Sequence, residues 1–271
     1  MGQARYRNPH YSNRSNVSIF PFDGYLGEGV DTVDYLRRML EDSASGFDLP
    51  AAVIVETVQA DGGINVSRKA WQKKLAELCR ELDILLIVDD IQVGAGRTGT
   101  FFSFEEAGLE PDIVVLAKSI SGFGLPMSLV LLKDAVDTWE PGEHTGTFRG
   151  NNLAFVGAAE ALDYWKGAGL TPDIQRRGEL VQRRLAAVRE KHGKAIAGVR
   201  GKGLIHGLEM ADAKLAPAVR EAAFPEGLML ECCGTRGQVL KILPPLVIED
   251  EVLSEGMDIL EAALEKVIGR A

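Results

Sequence analysis

A lysine, two aspartates and a glutamate stand at similar places in this sequence, each just after a run of apolar residues. Lys118 follows Ile113–Ala117 in "DIVVLAK", Asp89 and Asp90 follow "ILLIV", and Glu56 follows "AAVIV". Such runs are typical of strands that are buried on both faces of a parallel sheet. The carboxyl ends of these strands lie at the sheet edge where α/β proteins bind ligands. The spacing therefore predicts an amine and several carboxylates clustered at one edge.

Two chemical interpretations of this cluster are open. Charged groups at this position are costly to desolvate unless they are paired, so one interpretation is a salt-bridge cluster that closes the end of the sheet. The other is a site for an aldehyde cofactor, in which Lys118 forms a Schiff base and Asp89 keeps a ring nitrogen protonated. The glycines of "GAGRTG" after Gln92 and of "SGFG" favour the second interpretation, because glycine lets the backbone approach a ligand closely.

The elements that must position these residues alternate between strands and helices. The sequence predicts strands over residues 51–57, 84–90, 112–118 and 127–133, and helices over 68–82 and from 153 to about 165. Another helix is predicted to begin after Asp31, a plausible N-cap, and to stop at Gly46. This order predicts βαβ units and a mostly parallel sheet, the α/β class.

From residue 169 onward the predicted elements are shorter and mixed. They are a helix over 172–193, one glycine-containing strand over 201–210, a helix over 215–224, short strands over 227–232 and 238–242, and a closing helix over 250–268. We therefore expect a partial large α/β domain over residues 1–168 and a small α+β C-terminal domain over 169–271.

Composition limits the classes of function. The 271 residues include 30 basic and 39 acidic residues, a net charge of −9 without a basic block, which argues against a nucleic-acid partner. The three cysteines, two of them adjacent, favour a reducing compartment, and no cysteine–histidine spacing of a metal site is present. No apolar run reaches transmembrane length and no signal peptide is evident. We expect a cytoplasmic protein with no metal and no membrane partner.

Six motifs, in order and spacing, resemble the class III pyridoxal-phosphate-dependent aminotransferases. They are "VIVETVQADGG", "LLIVDDIQVGAGRTG", "PDIVVLAKSISGFGLP", "HTGTFRGNNLAFVGAAEAL", "GVRGKGLIHGLEM" and "LKILPPLVI", and the resemblance covers residues 50–271. It implies fold-type I, with a large cofactor-binding domain and a small domain. It also implies pyridoxal 5′-phosphate as the cofactor, small-molecule amino acid and aldehyde substrates, and a homodimer or larger assembly with shared active sites.

The resemblance implies roles for individual residues near the cofactor. Lys118 would carry the cofactor and move a proton between it and the substrate, and Asp89 would pair with the pyridine nitrogen. Ile91 would lie against one ring face, and Gln92 would hydrogen-bond near the phenolic oxygen. Thr147 would reach the phosphate of the partner subunit's cofactor.

Two further residues would face the substrate. Glu56 resembles the family's glutamate in the substrate pocket. Lys241 stands where many members place an arginine that grips a substrate carboxylate, but a lysine cannot reproduce that bidentate fork. An ordinary solvated lysine is the alternative interpretation of Lys241.

Four segments narrow the expected reaction: "DDIQ", "SGFGLP", "GTFRGNN" and "DGYLGEGVDTVDYL". They are most similar to the branch of the family that transfers an amino group from L-glutamate to L-aspartate 4-semialdehyde, giving L-2,4-diaminobutyrate for ectoine synthesis and 2-oxoglutarate. Another ω-amino-acid transaminase or an aminomutase is the alternative. The family's phosphate-binding turn and first strands lie upstream of the residue that matches "GQARYRN", so we expect an N-terminally truncated chain. An inactive fragment that serves only as a dimerisation partner is therefore also possible.

Overall fold

The computed structural model describes residues 16–27, 29–167 and 169–269, and most of its strands form two four-stranded sheets. The strands are β1 (Ala52–Val55), β2 (Val58–Gln59), β3 (Asn65–Val66), β4 (Leu85–Asp89), β5 (Ile113–Ala117), β6 (Ser128–Leu132), β7 (Ile196–Lys202), β8 (Ile205–Met210), β9 (Glu231–Cys233) and β10 (Val239–Ile242). The helices are α1 (Thr32–Glu41), α2 (Lys69–Glu81), α3 (Asn152–Leu162), α4 (Thr171–Lys191), α5 (Leu215–Ala223) and α6 (Asp250–Ile268).

The first sheet has the strand order β1-β4-β5-β6, and its first three strands are parallel. This confirms the predicted parallel βαβ arrangement. The fourth strand, β6, is antiparallel to β5. Only residues 118–127 connect these two strands, and a parallel crossover requires a connection of about a dozen residues or more.

Helices α1 and α2 cover the first sheet through an apolar cluster. Trp71, Leu75 and Leu78 of α2 pack with Leu36 of α1 and with residues of the sheet. As predicted, α1 has Asp31 as its N-cap, with Oδ1 accepting a hydrogen bond from the Val33 amide at 2.8 Å. The helix ends at Glu41, so the predicted stop at Gly46 was wrong; Gly46 lies beyond it with a positive φ of 76°.

The second sheet has the order β7-β8-β10-β9 and is antiparallel throughout. The prediction of one strand over 201–210 was wrong, because the chain reverses at Gly203 (φ 56°) and makes β7 and β8 a hairpin. Gly203 reaches the left-handed region without a steric penalty, which a tight reversal of this kind needs. The strand predicted over 227–232 is shorter and lies later, as β9. The helix predicted to residue 165 ends at 162, and a single 3₁₀ turn follows it.

Both faces of the second sheet are buried. On one face Leu208 and Leu240 pack against α4, α5 and α6, the larger core of the molecule. On the other face Ile205 packs against Ile64 and Val93, which belong to the first half of the chain. The second sheet is therefore held directly against the segments that follow β1 and β4. The predicted domain boundary at residue 169 stays a prediction.

The described part of the chain has no helix that is both long and apolar enough to cross a membrane. Within the same residues, no three histidine, cysteine or acidic side chains converge as metal ligands. Cys79 and Cys233 are buried thiols that form no disulfide. Burial raises the pKa of both Cys79 and Cys233 to about 11, so these two thiols stay protonated at neutral pH.

Candidate active site

Three neighbouring strands bring Glu56, Asp89 and Lys118 to one edge of the first sheet. The β1–β4 ladder ends one residue before Glu56 and Asp89, which are therefore level with each other. On the other side Asp89 pairs with Val115, three residues before Lys118. Because the three strands are parallel, their carboxyl ends lie at the same edge, and all three residues follow the strands at that edge.

Lys118 has an unusual backbone conformation for a residue with a side chain. It directly follows β5 and has a φ of 55°, in the left-handed region that non-glycine residues rarely adopt. A 3₁₀ turn over Lys118–Ser121 holds it, with the Ser121 hydroxyl donating to the Lys118 carbonyl oxygen at 3.2 Å. Strain of this kind persists where surrounding structure imposes it, often at functional sites. The turn leaves the Lys118 side chain exposed and accessible to a ligand.

The two carboxylates at this edge are half-buried and interact electrostatically. Asp89 Oδ1 accepts a hydrogen bond from the Ile91 amide at 3.1 Å, and Glu56 Oε2 accepts one from the Ala60 amide at 3.3 Å. Burial raises the pKa of Glu56 above its usual value, and the negative charge of Asp89 adds to this rise. Two coupled carboxylates favour the binding of a protonated nitrogen. Ile91 and Gln92 are half-buried in the turn that follows Asp89.

The sequence analysis missed a buried network behind this edge. Asp90, which is only 1% exposed, accepts two hydrogen bonds from Ser103, one from the hydroxyl and one from the amide, the latter at 3.0 Å. Thr57 donates to the Ser103 hydroxyl at 2.5 Å. Burial raises the pKa of Asp90 to about 6, although the bonds from Ser103 act in the opposite direction. The "DD" pair was visible in the sequence, but nothing there indicated Ser103.

Two of the glycines that favoured a ligand loop, Gly96 and Gly122, lie against other parts of the chain. A Cβ on Gly96 (φ 92°) would lie 2.1 Å from the ring of Trp165, and one on Gly122 (φ 72°) would lie 2.5 Å from Ala161 Cβ of α3. Close approach is therefore real at both loops, but the partner is another part of the chain. The packing of these two glycines gives no support to a bound ligand, so the inference from the glycine loops to a ligand stays a prediction and the case for the site depends on the charged residues.

Arg97, in the same "GAGRTG" segment, ties the turn after β4 to the second sheet. Its Nη1 donates to the carbonyl oxygens of Leu204 at 3.0 Å and Pro244 at 2.5 Å, and the Leu204 amide donates back to the Arg97 carbonyl oxygen at 2.9 Å. Burial lowers the pKa of Arg97 to about 10, so the guanidinium is charged at neutral pH. Sequence reasoning gave no signal for this role.

Thr147 and Lys241 lie apart from the sheet edge in the topology. Thr147 is in the exposed segment between β6 and α3. Lys241 is on β10, an interior strand of the second sheet, and its Nζ lies 2.8 Å from Asp61 Oδ1 and 3.4 Å from Glu231 Oε2. Its side chain is 2% exposed, so the alternative of an ordinary solvated lysine was wrong. The roles of Thr147 and Lys241 toward cofactor and substrate stay predictions.

Comparison with known proteins identifies the family. Residues 21–264 match the family described as aminotransferase class III, and the chain belongs to it. Members of this family are pyridoxal-phosphate-dependent enzymes of fold-type I. Among curated relatives, the diaminobutyrate–2-oxoglutarate transaminase of Wolinella succinogenes is 53% identical over 98% of this chain. The enzyme of that name from Halomonas elongata is 49% identical over 92% of this chain.

Solved structures show the same fold. The ornithine aminotransferase of Toxoplasma gondii superposes with a TM-score of 0.80 at 33% identity, over 89% of this chain and 56% of that one. An aminotransferase of Bacillus anthracis superposes with a TM-score of 0.81 at 27% identity, over 91% of this chain and 60% of that one. The chain spans 62% of the length of the Wolinella relative and 60% of the Halomonas one.

Proposed function

We propose that this chain binds pyridoxal 5′-phosphate through Lys118 and acts in transamination from L-glutamate to L-aspartate 4-semialdehyde. The products would be L-2,4-diaminobutyrate and 2-oxoglutarate. The observation that carries the cofactor assignment is the exposed Lys118, held in a left-handed conformation beside the strand that ends in Asp89. The substrate assignment is supported by relatives that are 46–53% identical and are named diaminobutyrate–2-oxoglutarate transaminases.

The residues at the sheet edge fit the cofactor by their chemistry. When bound, pyridoxal phosphate supplies an electron sink that stabilises negative charge at the substrate's reacting carbon. The Asp89 carboxylate keeps the ring nitrogen protonated, because a nearby opposite charge raises the pKa of a basic group. Lys118 would anchor the cofactor and, once released from it, would accept and return the proton of the substrate. Ile91 and Gln92 orient the ring.

The carboxylate of Glu56, at the same sheet edge, is the group that we propose contacts the substrate. Its raised pKa means that it can exchange a proton more readily near neutral pH than an ordinary glutamate. We assign it to the substrate pocket, on the side of Asp89 away from Lys118, because β4 separates β1 from β5.

The proposed assembly is a homodimer in which Thr147 contacts the partner subunit's cofactor. An apolar surface supports it: Phe148 is 98% exposed, and Leu153 and Val156 of α3 are 73% and 70% exposed. Large exposed apolar residues of this kind are typical of interaction surfaces in proteins. A second copy of the chain is the partner that would place Thr147 near a second cofactor.

Borohydride trapping tests the cofactor assignment. The chain is mixed with pyridoxal phosphate, reduced, digested and analysed by mass spectrometry, with Lys118→Ala and the exposed-lysine variant Lys133→Ala as matched controls. We expect a pyridoxyl group on Lys118 in the parent chain and in Lys133→Ala. Labelling scattered over several lysines, or none, would contradict the proposal and favour a fragment that acts only as a dimerisation partner.

Substrate assays separate the remaining alternatives. With L-glutamate and L-aspartate 4-semialdehyde we expect 2-oxoglutarate and L-2,4-diaminobutyrate in equal amounts, and no product without the donor. An aminomutase would act without an external amino donor. Another ω-amino-acid transaminase would prefer a different aldehyde, so a panel of aldehydes at fixed L-glutamate distinguishes it.

A further inference from the structure

A chain of buried hydroxyl groups lies directly behind the candidate site. Thr57, Ser103 and Asp90 are 2%, 3% and 1% exposed. Thr57 Oγ1 donates to Ser103 Oγ at 2.5 Å, Ser103 Oγ donates to Asp90 Oδ1, and the Ser103 amide donates to Asp90 Oδ2 at 3.0 Å. Both oxygens of the carboxylate are therefore held by a single residue.

Two members of this network each stand one sequence position after a candidate site residue. Thr57 comes directly after Glu56, and Asp90 directly after Asp89. Successive side chains of an extended segment point to opposite faces, so the site face carries Glu56 and Asp89 while the other face carries Thr57 and Asp90. The β1–β4 ladder ends before these residues. Ser103 therefore bridges the two strand ends at the point where their backbone pairing stops.

The surroundings leave the network little freedom. The Thr57 carbonyl oxygen accepts hydrogen bonds from the Ser67 amide at 3.0 Å and from its hydroxyl at 2.7 Å. At the Asp90 end of the network, a Cβ on Gly94 would lie 2.7 Å from Asp90 Oδ2. A buried polar network that is fully hydrogen-bonded favours one arrangement of the groups attached to it, because any other arrangement leaves polar atoms without partners.

We propose that Ser103 is a positioning residue that joins the ends of β1 and β4 through Thr57 and Asp90, and so sets the positions of the Glu56 and Asp89 carboxylates. The position of Asp89 is a property of the chain alone and can be measured without a cofactor. The consequence for cofactor binding rests on the proposed function.

Hydrogen exchange of the Ile91 amide reports directly on Asp89, since this amide donates to Asp89 Oδ1 at 3.1 Å. We compare the parent chain with Ser103→Ala and with Thr57→Val, which removes one hydroxyl at nearly constant volume. Thr57→Ser keeps the hydroxyl and is the conservative control. Val181→Ala, on α4 in the core that packs against the second sheet, controls for a general loss of stability. Exchange at Ile91 should rise about tenfold in the first two variants, the effect of losing one hydrogen bond, and stay at the parental rate in Thr57→Ser.

Equal exchange at Ile91 in Thr57→Val, Val181→Ala and the parent chain would overturn the proposal. Thr57→Val decides the question if Ser103→Ala does not fold. A second measurement is the dissociation constant of pyridoxal phosphate, read from its absorbance, which should rise about tenfold in Ser103→Ala and Thr57→Val but not in Thr57→Ser. If the parent chain binds no cofactor, the proposed function fails, while the exchange rates still decide the role of Ser103.

Discussion

Lys241 and Asp61 form a salt bridge across 180 sequence positions, with Nζ 2.8 Å from Oδ1. It joins an interior strand of the second sheet to the turn between β2 and β3. The lysine side chain is 2% exposed, whereas Asp61 is 63% exposed. Burial lowers the pKa of Lys241, but the hydrogen bond to Asp61 and the charges of Asp61 and Glu231 outweigh it, so its pKa is above the usual value.

The asymmetry of this pair predicts which substitution is worse. Asp61→Asn should lower the free energy of unfolding by about 1–2 kcal/mol, because a buried ammonium loses its nearest opposite charge. This loss is smaller than for a fully buried pair, because Asp61 is exposed and water screens its charge. Lys241→Met should change it by less than about 1 kcal/mol, because a methionine fills similar space and the carboxylates stay hydrated. Urea unfolding measures both, and a larger loss in Lys241→Met would contradict this account.

Asp89→Asn tests the charge at the candidate site. The substitution keeps the shape of the side chain and removes the anion that, in the proposed function, would keep the ring nitrogen protonated. We expect the rate of transamination to fall by about 100-fold or more, with borohydride labelling of Lys118 retained. The exposed Asp134→Asn is the control and should keep the parental rate. An Asp89→Asn chain with that rate would show that the ring nitrogen finds its counter-charge elsewhere.

Because the pKa of Asp90 is raised, we expect an unusual pH dependence of the free energy of unfolding. Its pKa is raised from an ordinary 3.8 to about 6, so between these values the folded chain binds more protons than the unfolded chain. The contribution of Asp90 is therefore present below pH 4 and is lost as the pH rises to about 6, by about 3 kcal/mol in total.

The Asp90→Asn variant isolates this contribution. Carboxylates with lowered pKa, such as Asp250 at about 2, give the opposite slope in the parent chain. The difference in unfolding free energy between the parent and Asp90→Asn should change between pH 4 and pH 6, in favour of the parent at the lower pH. A difference independent of pH would mean that Asp90 titrates normally. Denaturant unfolding at several pH values is the measurement.

Two substitutions of Arg97 should lower the free energy of unfolding by different amounts. Arg97→Met leaves the carbonyl oxygens of Leu204 and Pro244 without their donor and should cost about 2–4 kcal/mol of unfolding free energy. Arg97→Lys keeps the charge but has no planar fork, so it should lose about half as much. Chemical denaturation checks the order. A lysine variant as stable as the parent would show that the charge, and not the paired geometry, matters.

Two helical glycines should respond in opposite directions to alanine. A Cβ on Gly178 of α4 would lie 2.3 Å from the Gly203 carbonyl oxygen, so Gly178→Ala should lose about 1–3 kcal/mol of stability. On α6, a Cβ on Gly256 would meet Leu228 Cδ1 at 3.6 Å, an ordinary contact, and alanine should gain about 0.5–1 kcal/mol. Thermal unfolding of both variants is the test. Destabilisation by both would indicate that α6 has less room than its contacts show.

Local pattern in the sequence was enough for much of the first sheet. Continuous apolar runs predicted β1, β4 and β5, and the amphipathic α2 required a parallel crossover. Once the three strands are parallel neighbours, the positions of Glu56, Asp89 and Lys118 at their ends follow from chain geometry. The helix cap at Asp31 is equally local, since its partner is two residues away.

Tertiary structure decided the features whose partners are far along the chain. Thr57 and Ser103 are 46 positions apart, Arg97 and Pro244 are 147 apart, and Lys241 and Asp61 are 180 apart. No periodicity or motif encodes such pairs, because they depend on how finished elements pack. The same holds for the glycines of "GAGRTG", where sequence shows that the backbone approaches something and only packing shows what. The sequence by itself therefore determined which side chains gather at the sheet edge, and the packed chain decided what holds them there.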